Sequence, residues 1–181
     1  LTLIMVVTML PVAAFATEEA GTSADNPIQI SSAADLKKID QSTDYLYAEL
    51  TADINLTDAD SIQVDSWWNS RVEYFRGELN GNGHTITASA DKDAFIGYFM
   101  GGELKNIKWH VTAPSSLVAN QHSSNETYTY SNITVTGNVA WGADNNNESA
   151  LVTYAPGDTT FDNVSLNMDM SSSTTYHGLF I

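Results

Sequence analysis

The sequence predicts an all-β protein, folded as a parallel β-helix with one short capping helix near its start. Three observations carry that prediction. Leu104-Lys105-Asn106-Ile107-Lys108-Trp109, Tyr130-Ser131-Asn132-Ile133-Thr134-Val135 and Phe161-Asp162-Asn163-Val164-Ser165-Leu166 share one pattern: apolar, polar, Asn, β-branched, polar, apolar. Their asparagines lie 26 and 31 residues apart (132 − 106 and 163 − 132), which is the spacing of a repeat architecture. A second motif precedes each copy, at Phe95-Ile96-Gly97-Tyr98-Phe99, Ser116-Leu117-Val118 and Ala150-Leu151-Val152, so each period holds two or three short strands. After residue 39 no apolar stripe of helical spacing remains, and the apolar runs are short and bounded by Gly, Asn, Asp or Ser. Strands that short cannot bury a face alone, whereas strands stacked at about 4.8 Å along an axis share one core. A sandwich or barrel would mark its hairpins every ~8–12 residues and would not need Asn at one phase of a longer period.

The elements follow in chain order. Residues 1–16 carry no charge and close on Ala14-Phe15-Ala16 before Thr17, the small-x-small mark of a secretory signal peptide. A membrane span would need about 20 apolar residues. Residues 17–26 are small and polar, the composition of a flexible linker. Pro27-Ile28-Gln29-Ile30 reads as a strand. Ser32 with an acid at Asp35, followed by Leu36 and Ile39 at helical spacing, predicts a short amphipathic helix. Tyr45–Leu50 and Ala52–Leu56 alternate as strands, with Ile54 and Leu56 on one face. The β-helix domain is expected to run from 27 to 181. The pattern breaks off in phase at Gly178-Leu179-Phe180-Ile181, so more chain is expected to follow and cover the open end.

The asparagines have a physical reason at such corners. Where the chain bends between two strands it visits left-handed geometry, which Asn tolerates better than any residue but Gly. Stacked Asn106, Asn132 and Asn163 are also placed to hydrogen-bond one another along the axis. Trp109 holds the phase of Val135 and Leu166 and is assigned to the core.

Composition narrows the partners. Of 181 residues, 22 are acidic and 7 basic, giving a formal charge of −15, and there is no cysteine. Nucleic acid, whose binding relies on Lys and Arg neutralising phosphates, is excluded, and contact with anionic lipid after signal cleavage is disfavoured. Export without disulfides fits a bacterial surface, with stability drawn from packing and backbone hydrogen bonds.

The stretch Phe75-Arg76-Gly77-Glu78-Leu79-Asn80-Gly81-Asn82-Gly83-His84-Thr85-Ile86 is glycine-rich. It lacks the Lys of a phosphate-binding loop and the third glycine of a dinucleotide fingerprint. His84, His110, His122 and His177 stand at no metal-ligand spacing. Asn80-Gly81-Asn82-Gly83 therefore reads as a structural corner in which Gly81 and Gly83 take positive φ angles.

Together with Asp53-Ile54-Asn55-Leu56, Trp67-Trp68, Gly97-Tyr98-Phe99 and Leu104-Lys105-Asn106-Ile107, this stretch resembles the pectate-lyase-like right-handed β-helix repeats of exported bacterial surface proteins. These include proteins with Gly-Leu-Phe-Gly (GLUG-type) repeats. The match runs over about residues 27–110, with Asn80 where the pattern has Asp and no closing glycine at Met100. The resemblance implies a right-handed parallel β-helix serving as an adhesive or wall-associated scaffold.

Two readings of function follow. The first is a non-catalytic, exported module of a bacterial surface protein that presents loops to a glycan or a host surface protein. Trp67 and Trp68, which cannot both enter the core of one strand, and nearby Tyr74 are its candidate binding residues, since sugar rings and protein partners use exposed aromatics. The alternative, which the resemblance implies because polysaccharide lyases share this fold, is a carbohydrate-active enzyme, such as a Ca²⁺-assisted polysaccharide lyase, with Arg71 or Arg76 removing a proton; both arginines fall in the same irregular segment as the tryptophans. A hydrolase needs two facing carboxylates, and no acidic pair is visible at one phase. The acidic loop at 53–64 lacks the Gly and Glu of an EF-type calcium loop, and Ala143–Glu148 reads as a solvated loop. No cofactor and no metal are called for.

Overall fold

A computed structural model describes residues 18–58, 61–63, 68–89, 93–141, 148–172 and 177–178. The expected signal peptide, Trp67, most of the Ala143–Glu148 loop and the final Leu179-Phe180-Ile181 lie outside the described residues.

The strands are β1 (Ile28–Ile30), β2 (Leu46–Leu50), β3 (Ile54–Asn55), β4 (Ile62–Gln63), β5 (Asn69–Asn80), β6 (Thr85–Ala88), β7 (Asp93–Lys105) and β8 (Lys108–Val111). They continue with β9 (Ser115–Gln121), β10 (Thr127–Ser131), β11 (Thr134–Trp141), β12 (Glu148–Ser149), β13 (Val152–Tyr154), β14 (Asp158–Asp162), β15 (Ser165–Ser172) and β16 (His177–Gly178). Among the described residues the protein is all-β apart from two 3₁₀ turns.

A first sheet runs β1-β2-β5-β7-β10-β14, with β9 and β13 continuing it beside the early part of β7; a second runs β3-β6-β8-β11-β15. Along both of these orders the strands follow one another in chain order, and a third, two-stranded sheet pairs β12 with β16. Every pairing is parallel except the two-residue contact of β4 with β5.

Register places like residues side by side. Ile54, Ile86, Trp109, Val135 and Leu166 are partners on successive strands of the second sheet. Ile28, Ala48, Leu79, Leu104, Tyr130 and Phe161 do the same in the first. Both columns face inward and feed one apolar cluster, so burial there serves the two sheets together. Trp109 is fully buried, as its phase predicted.

The motif that repeats in the sequence is the corner between the sheets. Leu104-Lys105 ends β7, Asn106 turns at φ 56°, and Lys108-Trp109 begins β8; Asn132 (φ 51°) and Asn163 (φ 52°) turn in the same way. A residue with a side chain held at such a φ is costly unless it is Asn, Asp or Gly.

Four expectations change in detail. The predicted helix is a six-residue 3₁₀ turn, Ala33–Lys38. Asp35 does not wait for Ser32 to cap it: its Oδ2 accepts from the backbone N–H and hydroxyl of Ser31 and from Ser32 Oγ. Residues 18–26, read as a flexible linker, are tied down by Gly21, whose N–H donates to Asn26 O (2.7 Å) and whose carbonyl accepts from Tyr47 N–H (2.9 Å). The segment read as irregular around Arg71, Tyr74 and Arg76 is strand, because β7 offers β5 a partner along its whole length. In the glycine-rich corner, Asn82 (φ 51°) and Gly83 (φ 77°) carry the positive angles. Gly81 is needed for a different reason: a Cβ there would come within 2.5 Å of Asn106 O.

Candidate functional site

The corners line up into an asparagine ladder. Asn106 Nδ2 donates to Asn80 Oδ1 (2.9 Å), Asn132 Nδ2 to Asn106 Oδ1 (3.2 Å) and Asn163 Nδ2 to Asn132 Oδ1 (2.8 Å). At the lower end Asn82 Nδ2 donates to Leu50 O (3.0 Å) and Glu49 Oε2 (3.2 Å). Asn82, Asn106, Ile107, Lys108, Asn132 and Thr134 border a groove of about 380 Å³ beside it.

The outward face of the first sheet carries the second cluster. Leu79 and Leu104 point inward, so the alternation of a strand sends Glu78, Asn80, Glu103 and Lys105 outward. Glu78 and Glu103 are direct partners on neighbouring strands, correcting the expectation that no acidic pair shares a phase. The signal was present in the sequence: Gly77-Glu78-Leu79 and Gly102-Glu103-Leu104 are the same tripeptide. Lys105 Nζ lies 2.5 Å from Glu78 Oε1 and 3.7 Å from Glu103 Oε2, and Ser131 Oγ donates to Glu103 Oε1 (2.6 Å). Burial works against the Lys105 ammonium, but the hydrogen bond and charge of Glu78, with the charge of Glu103, outweigh it and raise its pKa. Tyr45, 45% exposed, leans on Tyr47 with ring centroids 5.3 Å apart, and Tyr47 is the register partner of Glu78.

Further along the same sheet Tyr74 stacks on Tyr98 (centroids 5.3 Å, planes 14° apart), and Tyr98 meets His122 edge-on at 6.3 Å. On the next strands of this row stand Asn120 and then Tyr154, which is 60% exposed.

The other candidates fare differently. Trp68 is only 8% exposed and packs with Ala94 and Ala119 in a satellite cluster, so its ring is turned into the molecule and offers no platform. Arg71 is 8% exposed, and its Nε donates to Leu56 O (2.7 Å); it fastens one strand to the 3₁₀ turn Leu56–Asp58. Arg76 reaches Glu126 Oε1 at 3.4 Å across partly open surface, a pairing worth little in water. The two arginines therefore do not converge on one site. Tyr45, Tyr47, Tyr98 and the Glu78–Lys105–Glu103 group were missed because their association depends on strand register.

No family model matches the chain, and no curated protein does. Among solved structures, the crystal structure of a candidate immunoglobulin A1 protease from Bacteroides ovatus is similar, with a TM-score of 0.53 at 18% identity. The likeness covers 83% of this chain and 50% of that one, so the chain spans about half the length of its neighbour. At that identity the likeness concerns the fold alone.

Proposed function

We propose that this protein is a right-handed parallel β-helix module of an exported bacterial surface protein, non-catalytic, whose outward faces bind glycans or a host surface protein. The observation that carries this reading is the in-register outward row of the first sheet. It sets Tyr47, with Tyr45 packed on it just before the strand, beside Glu78, Glu103 and Lys105, and the buried Ser131 hydroxyl fixes Glu103, on strands that cannot shift without disturbing the core. Aromatic rings beside rigid carboxylates and hydroxyls are the chemistry that sugar rings use, apolar faces stacking while hydroxyls pair with charged acceptors. An outer face held by a packed interior also costs little ordering entropy on binding.

The enzyme reading is weaker on the same geometry. A lyase base has to reach substrate, whereas Arg71 is buried against a backbone carbonyl. In the acidic pair, Lys105 takes up the ground between the carboxylates, where a glycosidase would need the scissile bond.

A glycan array probed with the wild type and with Tyr45→Ala/Tyr47→Ala tests the proposal. Binding in the wild type that falls about tenfold in the variant supports it, since two stacking contacts of this kind are worth about 1.4 kcal/mol or more. Unsaturated-product absorbance on incubation with pectin or alginate plus Ca²⁺, abolished by Arg76→Ala, would overturn it in favour of the lyase.

A further inference from the structure

We infer that the groove beside the asparagine ladder is a second glycan site, selective for a neutral sugar chain that carries a single carboxylate, with Lys108 as the residue that holds the acid. The inference rests on the glycan-binding reading above and assigns it a different place, at the corner between the two sheets.

The ladder leaves each amide half-used. Asn106 and Asn132 each donate one N–H along the ladder and accept one bond at Oδ1, while a carboxamide has two N–H donors and two lone pairs. A donor and an acceptor remain on each, at the border of a groove of about 380 Å³. A vicinal diol of a pyranose ring presents the complementary pair. The amides are fixed in orientation by one another, and they recur at the spacing of adjacent strands, about 4.8 Å. They can therefore meet successive hydroxyl pairs without losing rotamer freedom on binding.

Charge supplies the selectivity. Lys108 is the charged residue of the groove, is exposed, and makes no ion pair among the described residues. By contrast Lys38, Arg76 and Lys105 are each paired with a carboxylate. The register neighbours of Lys108 are Thr85 and Thr134, both neutral. Asp53, which feels the charge of Lys108, is engaged instead by the Thr85 N–H (2.8 Å) and by His84 Nδ1 (3.3 Å). As the one cation among the residues lining the groove, in a chain of net charge −15, Lys108 attracts one acidic group locally, while the whole molecule repels a uniformly acidic polymer.

The test is a two-dimensional amide NMR titration of the whole protein with lactose and with 3′-sialyllactose, which adds one carboxylate to the same neutral core. The expected result is shifts concentrated at residues 82–84, 106–108 and 132–134, with the acidic sugar binding about tenfold tighter, the value of one charge-assisted contact. Lys108→Ala should erase that preference and Lys108→Arg should keep it; the exposed position leaves the fold, read from the same spectra, unchanged. Equal affinity of wild type and Lys108→Ala for 3′-sialyllactose overturns the assignment. Shifts confined to the Tyr45–Tyr47 face overturn it while leaving the proposed function standing, whereas no shift with these sugars and no signal on the array would remove both.

Discussion

Asn132 does two things at once, and substitutions separate them. It turns the chain at positive φ and spends its amide on Asn106 and Asn163. Asn132→Ala loses both contributions and should cost about 2 kcal/mol, while Asn132→Gly keeps the turn and should cost about 1 kcal/mol; urea midpoints of the two variants check the difference. The glycines of the neighbouring corner split the same way. Gly83→Ala meets open space and has only its φ of 77° to contend with, so about 1 kcal/mol is expected. Gly81→Ala drives a methyl to 2.5 Å from Asn106 O and should cost about 3 kcal/mol. Equal losses at 81 and 83 would show that close approach is not what the first glycine serves. These corners were legible in the sequence because a local backbone need, positive φ, selects Asn and Gly at whatever phase it recurs. The separate reason for Gly81 was not legible, since its obstacle is Asn106, 25 residues away in the chain (106 − 81).

Among the elements, the 3₁₀ turn Ala33–Lys38 seals the first strand with Leu36 and Ile39, both buried in the shared cluster. Leu36→Ala should cost about 2–4 kcal/mol by leaving a hole at that end, measurable as a lowered denaturation midpoint. The same turn makes stability depend on pH. Lys38 Nζ, 2.6 Å away, and the Ser31 N–H and hydroxyl hold the Asp35 carboxyl well below the usual carboxylate range. A carboxyl whose folded pKa is depressed stabilises above its unfolded pKa, about 4, and loses that contribution as pH falls toward the folded value. Asp35→Asn should therefore lower Tm at pH 7 and flatten its decline below pH 4. An unchanged slope would remove Asp35 from the acid response. At the alkaline end, burial, eased slightly by the Gln121 amide, pushes the Tyr130 hydroxyl far up, so stability should fall as pH rises above about 10 and Tyr130→Phe should blunt that fall.

Element boundaries were less readable than element existence. Arg71, Glu73 and Tyr74 break the polar–apolar alternation of β5, because the early half of that strand packs Val72 inward while Arg71 is also buried. Nothing local in Asn69–Arg76 announces a strand; its partner in β7 does. The same dependence on a partner hid the Glu78–Glu103 pair and the burial of Trp68 against Ala94 and Ala119.

For the whole molecule, register is decisive: Asn106, Asn132 and Asn163, 26 and 31 residues apart, are lateral neighbours, and every inward and outward column follows from that. The absence of cysteine makes this directly measurable, because an introduced pair has no competitor. Thr134 and Ser165 are register partners, and their hydroxyls lie 3.3 Å apart. Asp169 sits four residues further along the same strand, roughly 13 Å away at about 3.3 Å per residue. Oxidised Thr134→Cys/Ser165→Cys should close an intramolecular disulfide within a folded protein, since adjacent strands meet the Cα separation that the bond requires, and Thr134→Cys/Asp169→Cys should remain reduced. Cross-linking of the 134/169 pair, or its failure at 134/165 in folded protein, would contradict the alignment on which both proposed binding surfaces depend.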